Sequence, residues 1–115
     1  MGAKMSVFHK ELGSGRWNEM PFCEQMANIG SEVSRAFRWR EKDRKDLSLN
    51  SANRALELLD MTTRPIKKYA RLKELSRVRE VLVDFFYGSN EYGSSGISLL
   101  KYFDHFNYLA RIGKG

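Results

Sequence analysis

Apolar residues recur at spacings of three and four in four separate stretches of this chain. This period places the apolar side chains of each stretch on one face of an α-helix, where they can pack into a core. Only two prolines interrupt the chain, Pro21 and Pro65, so long segments are able to stay helical. The pattern predicts four amphipathic helices, over residues 19–42, 47–61, 66–87 and 97–112.

The connections between these helices predict how they pack. Residues 43–46 and 62–65 are short links, and residues 89–96 form a longer loop that is rich in serine and glycine. Helices joined by short links lie antiparallel to each other. We therefore expect an all-α fold, an up-and-down antiparallel four-helix bundle with a flexible N-terminal tail. Two helical hairpins packed as in a repeat protein are the alternative.

The length of 115 residues suits one domain. Residues 1–17 show no sustained hydrophobic period and contain two glycines and a serine at positions 13–15, which is typical of a flexible tail. The predicted organisation is a tail over residues 1–17 and a single four-helix domain over residues 18–115.

Small residues on two of the helix faces predict close helix contacts. Ala52 and Ala55 lie on the apolar face of the second helix, and such short side chains let two helix axes approach each other. Gly30 lies at the edge of the apolar face of the first helix, although glycine weakens a helix. Gly30 either lets a neighbouring backbone come close or is simply tolerated there.

The third predicted helix has the widest apolar face, which indicates contacts with two or more other helices. The residues of this face are Tyr69, Leu72, Leu75, Val78, Val81, Leu82, Phe85 and Phe86. Arg79 falls within the same face, and a buried guanidinium needs a carboxylate partner. The candidate partners are Glu32, Glu57 and Asp60. Either Arg79 forms a structural ion pair, which we favour, or it faces a binding partner.

The sequence offers little support for catalysis or metal binding. His9, His105 and Cys23 do not form a metal-ligand spacing, and no nucleophile lies in a recognisable motif. We therefore expect a non-enzymatic protein without catalytic, metal-binding or cofactor-binding residues. A single cysteine excludes an internal disulfide and favours a reducing, cytoplasmic setting. No apolar run approaches the roughly 18 residues that a membrane-spanning helix needs, so we expect no membrane association.

A first basic cluster covers residues 35–45, in a chain of net charge +6. Six of its eleven residues are basic and two are acidic. The residues predicted to contact nucleic acid or an acidic partner are Arg35, Arg38, Trp39, Arg40, Arg44 and Lys45. Trp39 could stack on an unpaired base while the arginines bind phosphates. Alternatively, these cations simply complement the negative C-terminal end of a helix.

A second basic cluster covers residues 64–73, at the start of the third predicted helix. Its predicted contact residues are Arg64, Lys67, Lys68 and Arg71, with Lys73 beside them and no acidic residue among them. The helix dipole favours acidic residues at this end, so the cluster indicates a negatively charged partner. A solvated helix end that the dipole slightly destabilises is the alternative. In an antiparallel bundle the two clusters lie at opposite ends.

Several apolar and aromatic residues exceed what one buried face per helix requires. The predicted interface residues are Leu58, Met61, Tyr87, Tyr92 and Tyr108. Aromatic residues and methionine are enriched in the centres of protein interfaces. The leading functional prediction is therefore protein–protein interaction, with a partner protein or as a homo-oligomer. The alternative is a bundle that binds RNA or single-stranded DNA through the two basic clusters.

Overall fold

The computed structural model describes residues 15–113, and every regular element in that range is a helix. The elements in chain order are α1 (Arg16–Glu19), α2 (Phe22–Glu41), α3 (Lys45–Thr63), α4 (Tyr69–Tyr87) and α5 (Gly96–Arg111). The four long helices correspond to the four that the hydrophobic period predicts. The all-α prediction is therefore confirmed, with one short helix, α1, added before the bundle.

One end of the bundle gathers α1, the start of α2, the end of α3, the start of α4 and the end of α5. We call it the α1 end. The Phe22 ring lies edge-on to the Phe106 ring with 5.7 Å between centroids, and the Arg71 guanidinium lies 4.0 Å from the Phe22 centroid. The Trp17 indole N–H donates a hydrogen bond of 3.0 Å to the Thr62 hydroxyl.

The opposite end gathers the end of α2, the start of α3, the end of α4 and the start of α5. We call it the loop end. Arg40 donates a hydrogen bond of 2.9 Å to the carbonyl of Phe85, and the Phe37 ring packs against the Phe85 and Phe86 rings. Consecutive long helices therefore run in opposite directions, which confirms the up-and-down antiparallel bundle.

The first long helix, α2, is the centre of the packing, with α3 on one side and α5 on the other, while α4 packs against α3. The predicted close contact at Ala52 and Ala55 is confirmed, since both alanines are buried in the core. The approach is close enough for the Ser48 hydroxyl to donate a hydrogen bond of 2.7 Å to the Ala36 carbonyl. Small side chains on α3 thus allow this backbone contact with α2.

Gly30 also marks a close approach, here between α2 and α5. A Cβ atom added at Gly30 would lie 2.6 Å from the Cβ of Phe103, which is closer than two carbon atoms can pack. Phe103 is buried, and its Cβ is fixed to the backbone of α5. Of the two explanations for Gly30, close packing is therefore right and simple tolerance is wrong.

The predicted tail boundary at residue 17 is wrong, because Trp17 belongs to the core. Its side chain is only 1% exposed and lies in α1. The first long helix also begins later than predicted, at Phe22. Met20 is extended, since the ring of the following Pro21 disfavours a helical conformation there. The remainder of the predicted tail, residues 1–14, lies outside the described residues.

Arg79 forms an ion pair with Asp60, one of its three predicted partners, at 2.8 Å. This hydrogen bond raises the pKa of Arg79. The expected burial is wrong, however, because both side chains are nearly half exposed at the edge of the contact between α3 and α4. A solvent-screened pair of this kind contributes roughly 0.2–1 kcal/mol. The contacts of Arg79 favour the structural interpretation over a partner across a groove.

Candidate functional site

The 35–45 cluster lies at the loop end, and three of its arginines interact with their own chain. Arg35 pairs with Glu32 at 2.9 Å, and Arg44 lies 3.5 Å from the Asp46 carboxylate. Asp46 also accepts the backbone N–H of Leu47, and these two contacts lower its pKa. Arg40, besides its hydrogen bond to the Phe85 carbonyl, lies over the Phe85 ring at 4.5 Å from the centroid.

Trp39 is half-buried, and cations of its own cluster lie near its ring. The Lys42 ammonium is 5.5 Å and the Arg44 guanidinium 5.9 Å from the ring centroid. Both distances are within the range of cation–π attraction. A nucleic-acid base would have to compete with these cations for the ring. Arg38 and Lys45 remain exposed, and neither forms an ion pair with another residue in the range 15–113.

Four cations of the 35–45 cluster line two separate cavities, two in each. A groove of about 440 Å³ runs between α2 and α5, with Arg35 and Arg38 on one wall and Asp104 and Asn107 on the other. A second cavity of about 320 Å³ lies at the loop end. Its lining residues include Arg40, Lys45, Leu49, Phe85 and Tyr87. The cluster is contiguous in sequence, but it does not present one continuous basic face.

The 64–73 cluster lies at the α1 end, opposite the first cluster. Arg64, Lys67 and Lys68 are exposed, and they form no ion pair with any other residue that the structure describes. The first turn of α4 contains no acidic residue, and no side chain caps its N-terminus. Arg71 differs from the other three cations, because it stacks on Phe22 and lies 3.5 Å from Glu74.

Tyr69 is 75% exposed in the middle of this cluster, so the prediction that it belongs to the apolar face of its helix is wrong. Residues 66–68 are not helical, and Tyr69 is the first residue of α4. Its side chain therefore lies at the tip of the bundle. The helical period identifies a face but does not show where the neighbouring helices end.

The predicted interface residues on α3 belong to the core instead. Leu58 is only 4% exposed, and Met61 is half-buried and packs against the same core. The reason is the additional helix α1, which packs against the end of α3 through Trp17 and Thr62. Thr62 lies one turn after Leu58 on the same side of α3, and α1 covers that side.

The three predicted interface tyrosines are exposed, but two of them hydrogen-bond to their own chain. The Tyr87 hydroxyl donates to the Asn53 side chain, with the Leu49 carbonyl oxygen 3.3 Å away, and partial burial raises the pKa of Tyr87. The Tyr92 hydroxyl donates to Glu80 at 3.0 Å, which raises the pKa of Tyr92. For the hydroxyl of Tyr108, no hydrogen bond to residues 15–113 is observed.

The outer face of α5 carries a group of exposed apolar residues that the sequence analysis did not identify as a unit. Ile97 is 78% exposed, Tyr108 55% and Ile112 47%. Ile112 is the C-cap residue that directly follows α5, and at 3.6 residues per turn the three positions fall within an arc of about 60°. The sequence contains a second helical pattern at positions 97, 101, 104, 108 and 112. Because positions 101 and 104 are charged, this pattern resembles an ordinary solvent-facing side.

Within residues 15–113, no group of three or more histidine, cysteine, aspartate or glutamate side chains could hold a metal ion. None of the helices in that range is long and apolar enough to cross a membrane. The chain matches no protein family, no curated protein and no solved structure with which it was compared. The interpretation of its surfaces therefore rests on their own chemistry.

Proposed function

We propose that this is a non-enzymatic helical-bundle protein that acts by association with another protein surface, and that the outer face of α5 is its binding face. The observation that carries this proposal is the exposure of Ile97, Tyr108 and Ile112 along one side of one helix. A single exposed apolar residue needs no explanation, whereas several on one face are typical of an interaction site.

The physical gain from covering this face is substantial. Full burial of one large aliphatic side chain contributes about 1.5–3 kcal/mol, and Ile97 has most of its surface in water. Tyr108 adds a large ring and a hydroxyl that can donate to a partner. The polar residues between them, Lys101 and Asp104, form no ion pair with residues 15–113 and are able to pair across an interface.

Site-specific photocross-linking in cells that produce the protein tests this proposal. A photoreactive phenylalanine analogue at position 97 is expected to give a discrete cross-linked protein species, because Ile97 lies in the binding face. Position 76 is the control, since Ser76 is exposed on α4, away from that face. The species would be detected as a band of higher mass with an antibody to the protein.

Two results would count against the binding face. One is no cross-linked species from position 97 or from position 108. The other is the same set of species from position 76 as from position 97, because that result indicates contacts with no preferred surface.

A second function, binding of single-stranded nucleic acid, has a specific observation in its favour. Tyr69 projects from the α1 end among Arg64, Lys67 and Lys68, which have no acidic partner in the described residues. A tyrosine ring can stack on a base while neighbouring cations neutralise phosphates. The exposed backbone N–H groups at the start of α4 also favour an anion.

Replacement of Tyr69 by alanine is expected to weaken binding of a labelled single-stranded RNA by about 5- to 150-fold, because one base-stacking contact is lost. Lys67→Glu/Lys68→Glu is expected to weaken binding and to flatten its salt dependence. The matched control is Lys42→Glu/Lys45→Glu, which changes the net charge equally at the loop end. If both double variants lose the same affinity for RNA, the binding is non-specific attraction by net charge, and the 64–73 cluster is not its site.

We also propose a reducing, cytoplasmic setting. The only cysteine, Cys23, is unpaired and buried near the start of α2. Burial protects its thiol from oxidants and from exchange with other thiols. Its small side chain contributes to the core as an apolar residue.

A further inference from the structure

We propose that the partner at the outer face of α5 is a second copy of this chain, aligned antiparallel about a two-fold axis that passes between Asp104 and His105. This inference rests on the proposed function, and it adds the identity and the register of the partner. It follows from the order of the exposed residues along α5. This face complements the same face of a second helix that runs in the opposite direction.

The register follows from positions along the helix. Positions 97 and 112 are equally far from the midpoint between 104 and 105, and so are positions 101 and 108. In an antiparallel pair centred on this midpoint, Ile97 faces Ile112 of the second copy. In the same way Lys101 faces Tyr108 of the second copy. The two copies of Asp104 meet on one side of the axis, and the two copies of His105 meet on the other. Because the arrangement is symmetric, the contacts of Ile97 and of Lys101 each occur twice.

The contacts at positions 97 and 112 and at positions 101 and 108 are chemically favourable. The two isoleucines bury apolar surface that is otherwise in water. The Lys101 ammonium can lie over the ring of Tyr108 in a cation–π contact. All six side chains are exposed, and they fall within an arc of about 100° on α5.

The charge of Lys101 also selects the direction of the pair. In a parallel alignment Lys101 would face Lys101, so like charges would repel. Lys101 forms no ion pair with its own chain in the range 15–113. The antiparallel alignment removes this repulsion, because Lys101 then faces the ring of Tyr108. Asp104 lies beside its own copy in either alignment, so it does not select the direction.

The size of the face predicts a weak dimer. A helix of 16 residues is about 24 Å long, and one pair of such helices covers less than a standard protein interface. The dimer is therefore expected to dissociate on dilution. Its affinity depends on a few exposed residues that can be changed without disturbing the core.

Sedimentation equilibrium on the full chain, with two opposite changes at Tyr108, tests the register. In Tyr108→Glu the new carboxylate faces Lys101 of the second copy and replaces the cation–π contact with an ion pair. In Tyr108→Lys two ammonium groups face each other. Since each contact occurs twice, the Kd of Tyr108→Lys is expected to exceed that of Tyr108→Glu by about 10-fold. The swapped variant Lys101→Glu/Tyr108→Lys is expected to restore dimerisation.

Disulfide trapping gives an independent measure of the axis position. In a Cys23→Ala background, Asp104→Cys is expected to form a covalent dimer on mild oxidation, because positions 104 of the two copies flank the axis. The control is Lys101→Cys, whose two copies are offset by about 10 Å along the helix, farther than a disulfide reaches. Circular dichroism checks that each variant folds. Positions 101, 104 and 108 are exposed, so we expect these substitutions to leave the fold intact.

A chain that sediments as a monomer at all concentrations, or equal Kd values for Tyr108→Glu and Tyr108→Lys, would overturn the inference. The cross-link from position 97 distinguishes failure of the dimer from failure of the proposed function. If position 97 cross-links to a protein of a different mass while the chain is a monomer, the α5 face binds a partner and only the second copy is wrong. If position 97 gives no cross-link at all, the binding face itself is wrong.

Discussion

Replacement of Trp17 by alanine is expected to lower the free energy of unfolding by about 3–5 kcal/mol, the usual cost of removing a large buried aromatic side chain. Trp17 is 1% exposed, and its indole N–H donates to the Thr62 hydroxyl. Its backbone carbonyl also accepts a hydrogen bond of 2.7 Å from the Gln25 side chain. The substitution leaves a cavity where α1 covers the end of α3.

Urea unfolding followed by circular dichroism measures this loss without relying on tryptophan fluorescence. The matched control is Trp39→Ala, which removes the same side chain from a half-buried position at the loop end and is expected to cost much less. Equal costs for the two variants, or a cost below about 1 kcal/mol for Trp17→Ala, would mean that Trp17 lies in a tail and outside the core.

The position of Trp17 shows why the sequence predicted four helices and missed the fifth. A helix of four residues is barely longer than one turn, so it shows no repeat of apolar residues. The three residues before Arg16 are glycine, serine and glycine, which in local terms indicate a loop. Only the contact with Thr62, 45 residues away in sequence, reveals that this segment is part of the bundle.

The long helices were predictable because their signal is local and is repeated many times. Each apolar face extends over at least three turns, so one residue that does not fit the period does not change the predicted helix. Gly30 shows the limit of such local information. The sequence placed it at the edge of a face, whereas the decision between close packing and tolerance required the position of Phe103 on α5.

The candidate sites were less predictable, since the sequence gives charges but not their partners. Arg40 and Lys68 belong to similar basic clusters in the sequence. Arg40, however, is bound to the carbonyl and the ring of Phe85, whereas no ion pair of Lys68 is observed within the described residues. Contacts between residues so far apart along the chain decide which cations are available to a partner.

Leu58→Ala is expected to destabilise the protein by about 2–5 kcal/mol and to leave its association unchanged. Leu58 is buried where α3 meets the core, so the change removes apolar contacts inside each subunit. The matched control is Ile97→Ala, in which an aliphatic side chain is shortened at an exposed position. We expect that variant to unfold like the unchanged protein and to associate more weakly.

Urea unfolding and sedimentation of the two variants, measured side by side, separate core from interface. A residue in a binding face contributes to association and little to the stability of the isolated subunit, whereas a core residue does the reverse. If Leu58→Ala weakens association at unchanged stability, the assignment of Leu58 to the core is wrong and α3 takes part in binding. If the effects divide as expected, the apolar surface that remains for a partner is that of α5.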